Sequence, residues 1–133
     1  MAGEWGLVAH PEGGFYRETY RSAMTVTPPG WPGERSMATA ILYLLPAGER
    51  SARHRVRGDE LWLWQAGSAM ELRVGEEEHL VGPDRRAGHR LQVLVAAGEW
   101  QSATPAPAAG GAEWSLVACV VTPGFDFADF ELG

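Results

Sequence analysis

Glycine and proline punctuation constrains this chain most. The 17 glycines and 9 prolines are spread through all 133 residues, and between them the apolar residues come in runs of strand length. No run leaves room for a helix of three turns, and short apolar segments bounded by turn formers are the mark of an all-β chain. Strands are expected at residues 14–21, 37–45, 52–56, 60–65, 91–96, 100–103 and 114–121, with a hairpin of 70–74 and 77–81 around Gly75. Loops are expected at 27–33 and 104–111. The run 37–45 is long and mostly apolar and reads as a strand buried on both faces. Two segments echo one another: Leu44-Leu45-Pro46-Ala47-Gly48-Glu49 and Leu94-Val95-Ala96-Ala97-Gly98-Glu99. Each is an apolar strand followed by a glycine turn, and such a repeat suits a double Greek key closed into a small barrel.

Composition narrows the functions. One domain over residues 1–133 is expected from the length, and 45% hydrophobic with 21% charged residues argues against global disorder. All 11 cationic residues are arginine, which removes lysine Schiff-base chemistry and a Walker-type phosphate loop. The single cysteine, Cys119, excludes an intrachain disulfide and cysteine-based structural zinc, and it reads as a buried inert thiol. A formal charge of −6 opposes nucleic-acid binding. No apolar run approaches the ~18 residues that span a bilayer, and no leader-like succession opens the sequence, so a cytoplasmic protein without membrane or nucleic-acid partners is expected.

The segment from Gly48 to Gly67 carries the chemistry. His54 and Val56 share one face of a strand, and Glu60, Trp62 and Trp64 share one face of the next. A turn between Val56 and Asp59 would set the two strands side by side and antiparallel, and with both faces inward an imidazole and a carboxylate meet in a pocket walled by tryptophan, where they can move a proton or hold a metal. The competing reading is a buried pair that satisfies itself, with the tryptophans as barrel core. In strand 14–21, Tyr16 or Tyr20 is a further candidate for the pocket. Arg17 and Glu18 fall on opposite faces, and parity leaves open which one enters the pocket. His10, before Pro11 and two glycines, reads as a turn residue. His79 and His89 lie in polar surroundings and are expected at the surface. Arg53, Arg55 and Arg57 read as an outer ladder or a dimer contact, and Glu76-Glu77-Glu78 as a solvated turn.

The spacing Gly48, His54, Glu60, Gly67 resembles the first motif of the cupin superfamily, and Gly98-Glu99-Trp100-Gln101 resembles the second. Further segments narrow the resemblance to the small single-domain cupin family five. They are His10-Pro11-Glu12-Gly13-Gly14-Phe15-Tyr16-Arg17, Asp59-Glu60-Leu61-Trp62 and Pro123-Gly124-Phe125-Asp126-Phe127 with its continuation to Leu132. The resemblance implies a jelly-roll β-barrel, commonly a homodimer, related to sugar-nucleotide epimerase cupins. It also implies a metal set of three histidines and one glutamate. Here Val56 and Gln101 stand at two of the histidine positions. No cofactor is therefore expected, and at most a weak partial metal site at His54, Glu60 and Gln101.

The resulting expectation is a small-molecule enzyme with metal-independent acid–base chemistry, of the isomerase, epimerase, cyclase or lyase kind. His54 is the expected base, oriented by Glu60, with Tyr20 as a further catalytic group. Tyr16, Arg17, Trp62, Trp64 and Gln101 are the expected substrate contacts. A metal-dependent, dioxygenase-type cupin and a non-catalytic binding or storage protein are the alternatives. The strand around Phe15 to Arg21, with a mixed face and a free edge, is expected to pair across a two-fold axis in a homodimer.

Overall fold

The computed structural model describes residues 2–107 and 114–133; part of the expected 104–111 loop lies outside them. The turn at His10–Gly14 joins β1 (Val8–Ala9) to β2 (Phe15–Arg21). A small ribbon of β3 (Thr25–Val26) and β4 (Arg35–Ser36) flanks the proline-rich loop 27–33. There follow β5 (Thr39–Leu45), β6 (Ser51–Val56), β7 (Asp59–Gly67), β8 (Met70–Val74) and β9 (Glu77–Val81). The rest are β10 (His89–Arg90), β11 (Gln92–Val95), β12 (Gln101–Pro105), β13 (Ser115–Thr122) and β14 (Phe130–Leu132). Helical structure among the described residues is confined to three 3-10 turns, and no helix is long and apolar enough to cross a membrane.

Two six-stranded sheets form the jelly roll. One has the order β1-β2-β5-β13-β7-β11 and the other β10-β9-β8-β12-β6-β14. The apolar strands β5 and β13 sit side by side in the middle of the first sheet, which is why both read as mostly apolar runs. The core lies between the sheets, where Tyr43, Trp62 and Val117 of one meet Met70, Leu72 and Val81 of the other. The echoed segments are one structure used twice. In each turn the glutamate N–H donates to the carbonyl three residues before it, Glu49 to Pro46 and Glu99 to Ala96, both at 3.1 Å. Each relies on a left-handed glycine, Gly48 at φ 78° and Gly98 at φ 79°.

One topological expectation is corrected. His54 and Glu60 do not lie on a hydrogen-bonded pair of strands. β6 pairs with β12 and β14, and β7 with β13 and β11. The Arg57-Gly58 corner carries the chain from one sheet to the other, with Gly58 so close to the Thr122 carbonyl that a Cβ would stand 2.9 Å from it. The two side chains therefore face the interior from opposite walls.

Candidate functional site

Irregularities in three segments assemble the site. β6 carries a bulge: Gln101 is opposite His54 while Ala103 is opposite Ser51. The extra residue lets both Ser51 and His54 face inward. β2 carries another, between Glu18 and Tyr20. Before it, Tyr16 and Glu18 are opposite Tyr43 and Ile41; after it, Arg21 and not Tyr20 is opposite Thr39. The third is the His10–Gly14 turn, held by the Gly13 N–H donating to the His10 carbonyl at 3.0 Å. Gly13 (φ 109°) passes so close to the Arg50 carbonyl that a Cβ would stand 2.2 Å from it. The Tyr43 hydroxyl donates to the Gly13 carbonyl at 2.6 Å. This close passage delivers Glu12 into the barrel.

Glu12 is the hub. Its Oε2 lies 2.8 Å from His54 Nδ1 and accepts from the Ser51 hydroxyl at 2.5 Å, and its backbone N–H donates to His10 Nδ1 at 3.1 Å. These contacts define the two imidazoles. His54 Nδ1 also lies 2.7 Å from the Ala52 carbonyl, which can only accept. Nδ1 therefore carries a proton, and in the neutral ring the lone pair is on Nε2. Glu12 Oε1 also lies 3.3 Å from His10 Nδ1, but the shorter, aligned contact is with the Glu12 backbone N–H, which can only donate, so His10 Nδ1 holds a lone pair and the proton of that neutral ring is on Nε2. Burial alone would lower the proton affinity of His54, but the hydrogen bond and charge of Glu12, the Ala52 carbonyl and the charge of Glu60 outweigh it and raise the pKa. For His10 burial prevails over Glu12, and the pKa is lowered.

Glu60 occupies the facing wall, 7% exposed. Its Oε1 accepts from Gln101 Nε2 at 2.8 Å, and Gln101 Oε1 accepts from the Trp62 indole at 2.8 Å. Burial and the nearby Glu12 push its pKa up to about 7, against the opposing pull of His54, Gln101 and Cys119. The Cys119 thiol beside it is pushed well up by burial and by Glu60, so it stays protonated. His10, Glu12, His54 and Glu60 line one cavity of about 430 Å³. Its apolar walls include Ile41, Val56 and Val121, and the C-terminal segment adds Phe125, Phe127 and Phe130. Phe130 stacks on the His54 ring at 5.5 Å between centroids.

Of the expected site residues, the structure brings His54, Glu60 and Tyr16 to this cavity. Tyr20 is 54% exposed, because the β2 bulge reverses its parity. Arg17 points out over Gly6, and Glu18 takes the inward place. Trp62 and Gln101 are buried behind Glu60 as its support, and Trp64 packs against the core without lining the cavity. The carboxylate on the His54 ring is Glu12, not Glu60. His10 is in a turn, as expected, and its ring is in addition a buried part of the cavity wall; His79 and His89, expected at the surface, are half-buried. The C-terminal aromatics do pack on the barrel, as expected.

A cupin-type metal set does not fit these side chains. Gln101 spends its amide oxygen on Trp62 and its nitrogen on Glu60, Val56 offers an isopropyl group, and His54 Nδ1 is committed to Glu12 and Ala52. His54 Nε2 and one Glu60 oxygen are what remain.

The family model described as Cupin superfamily (DUF985) matches residues 1–133. The chain belongs to that cupin family. "Uncharacterized protein YML079W" of Saccharomyces cerevisiae is 30% identical over 143 residues, covering 97% of this chain and 71% of the yeast protein. A solved structure described as a hypothetical protein from Leishmania major superposes with a TM-score of 0.90 at 34% identity, over 99% of this chain and 84% of that one. Protein SO0799 from Shewanella oneidensis does so with a TM-score of 0.86 at 37% identity, over 99% and 81%. In this cupin the jelly roll supplies the cavity, and the His10–Gly14 segment supplies its polar hub.

Proposed function

We propose that this cupin is a small-molecule enzyme that moves protons without a metal, in a reaction of the isomerase, epimerase, cyclase or lyase kind. The observation that carries this reading is the pair Glu12–His54. A carboxylate and a carbonyl hold the Nδ1 proton, so the lone pair is on the nitrogen left for a ligand. An imidazole in that state accepts a proton from carbon or oxygen, and Glu12 stabilises the imidazolium that forms. Glu60, held near neutrality on the opposite wall, is suited to return a proton on the other side of a bound molecule.

The test is substrate-agnostic. Chelator-treated protein is incubated in D2O with a panel of neutral and anionic hydroxy- and carbonyl compounds, and deuterium incorporation is read by NMR. Incorporation that survives chelation and is lost in His54→Ala, at an unchanged melting temperature, supports the proposal. Incorporation that requires a stoichiometric metal, or binding without exchange across the panel, overturns it in favour of a metal-dependent enzyme or a binding protein.

A further inference from the structure

The two histidines on the cavity wall are held in opposite states by one residue. Glu12 takes the Nδ1 proton of His54 through its side chain and gives its backbone proton to Nδ1 of His10. The neutral rings thus offer the cavity one acceptor nitrogen, His54 Nε2, and one donor nitrogen, His10 Nε2. His10 is locked by more than this contact. Its ring meets Tyr16 edge-on at 4.8 Å and lies 5.9 Å from the Phe130 ring and 6.0 Å from the Phe127 ring, centroid to centroid. Burial lowers its proton affinity, against the opposing charge of Glu12.

The charges lining the cavity are lopsided. Glu12, Glu18, Glu60 and Asp126 contribute carboxyl groups, and Arg21 is the one arginine on the wall among the described residues. Arg21 is already engaged, with Nε 3.1 Å from Glu18 Oε2 and a terminal nitrogen 2.6 Å from Oε1, and it also donates to the Phe125 carbonyl at 3.1 Å. Among the described residues, no second arginine lines the cavity to receive a phosphate or carboxylate on the ligand. An anionic group would enter a field of its own sign.

We infer that His10 is a second catalytic residue and that the substrate is an uncharged carbonyl compound bearing an acidic α-hydrogen, such as an unphosphorylated hydroxyketone or sugar. This rests on the reading of His54 as the base. His54 Nε2 takes the α-proton. The C–H electron pair becomes the new C=C bond, and the carbonyl π pair moves to oxygen, where the His10 Nε2–H donates a hydrogen bond to the developing charge. Return of a proton to carbon regenerates the carbonyl, so the step needs no oxidant or co-reactant. A neutral imidazole suits this role because it polarises the carbonyl without having to be reprotonated.

Two measurements test it. The first is ring-nitrogen NMR of the 15N-histidine-labelled protein at pH 8. His10 is expected as the Nε2–H tautomer and His54 as the Nδ1–H tautomer; His10 protonated on Nδ1 overturns the inference without touching the role of His54. The second is deuterium exchange into dihydroxyacetone and fructose, compared with dihydroxyacetone phosphate and fructose 6-phosphate. The uncharged compounds are expected to exchange about tenfold faster or more. His10→Ala is expected to lower kcat about 10²–10³-fold, the worth of one donor to a developing oxyanion, with KM little changed. His10→Gln, which keeps an N–H donor, recovers part of the loss. Faster exchange into the phosphate esters, no exchange into either uncharged compound, or full kcat in a folded His10→Ala overturns the inference. If His54→Ala also retains full exchange, the proposed function falls with it.

Discussion

Glu12 Oε2 lies 2.8 Å from His54 Nδ1, and this contact joins a turn near the start of the chain to a bulged strand in the middle of the barrel. The carboxylate is not held by the histidine alone: Ser51 donates to the same oxygen, and the Ala52 N–H donates to the Glu12 backbone carbonyl at 2.7 Å. Side chain and main chain of Glu12 are thus tied to consecutive residues of β6. The histidine's orientation and the path of the N-terminal segment become one structural decision.

Glu12→Gln should therefore lower the His54 pKa, because a hydrogen bond and a charge that favour the imidazolium are weakened together. Folded His54 holds its proton more tightly than an unfolded histidine near 6.5. Its contribution to stability is fully present below about pH 6.5 and is lost as pH rises through the folded value. NMR titration of the ring should show a lower midpoint in the variant, and turnover should fall by roughly 10²–10⁴-fold. An unmoved midpoint would contradict the assignment of Glu12 as the partner.

Glu60→Gln should have the opposite effect on stability. The folded carboxyl titrates at about 7 against an ordinary 4.5, so the native state binds more protons than the unfolded chain between those values, and wild-type stability falls as pH rises across that window. The amide mimics the protonated acid. The variant should melt above wild type at pH 8 and close to it at pH 4, while losing activity. A lower melting temperature at pH 8 would sink this account of Glu60.

Gly13→Ala tests the passage that delivers Glu12. The new Cβ would meet the Arg50 carbonyl at 2.2 Å in a backbone of φ 109°, where side chains are strained. A cost of about 3 kcal/mol is expected, together with a lowered His54 pKa as Glu12 is displaced. Wild-type stability in this variant would show that the segment adapts freely.

Asp129→Ala should loosen the C-terminal wall of the cavity. Asp129 receives Arg35 through two hydrogen bonds, at 2.7 and 2.9 Å, and Arg57 at 3.2 Å. Arg35 and Asp129 have side chains 8% and 4% exposed. Removing the carboxylate takes away the partner of both guanidinium groups, and the melting temperature should fall. Hydrogen exchange should quicken in β14 and leave β5 and β13 protected; unchanged protection of β14 would count against its anchoring by Asp129. Arg35 holds the Asp129 pKa down, so this contribution is present above pH 3.8 and is lost as pH falls through the depressed value.

A second copy of the chain is the proposed partner for the edge of β2. β1 pairs with it only at Phe15 and Tyr16, and the remaining edge is of the kind that pairs with another strand. Sedimentation at about 50 μM should give a dimer, since modest interfaces are populated at such concentrations. A monomer there would exclude the pairing.

Local chemistry was enough to read the longer strands, whereas the two- and three-residue strands β1, β3, β4, β10 and β14, too short to show a period, were not legible. The alternation in 52–56 and 60–65, the glycine turns at Gly48 and Gly98, and the apolar runs that became β5 and β13 all express a side-chain period of two and the steric freedom of glycine, which act over a few residues. The same period put His54 and Glu60 on inward faces. What it could not reach was any relation across a bulge, a corner or a turn. One extra residue in β2 exchanged Tyr20 for Arg21 at the cavity. One in β6 brought Ser51 in beside His54. The Arg57-Gly58 corner put His54 and Glu60 on different sheets. Glu12 and His10 sit in a turn with no period at all, and the Gly13-Gly14 pair beside them was the one local sign of a tight passage. Which carboxylate holds the histidine was decided by where that turn crosses β6. Parity propagates only along an unbroken strand, and the contacts that shape the cavity form where the strands break.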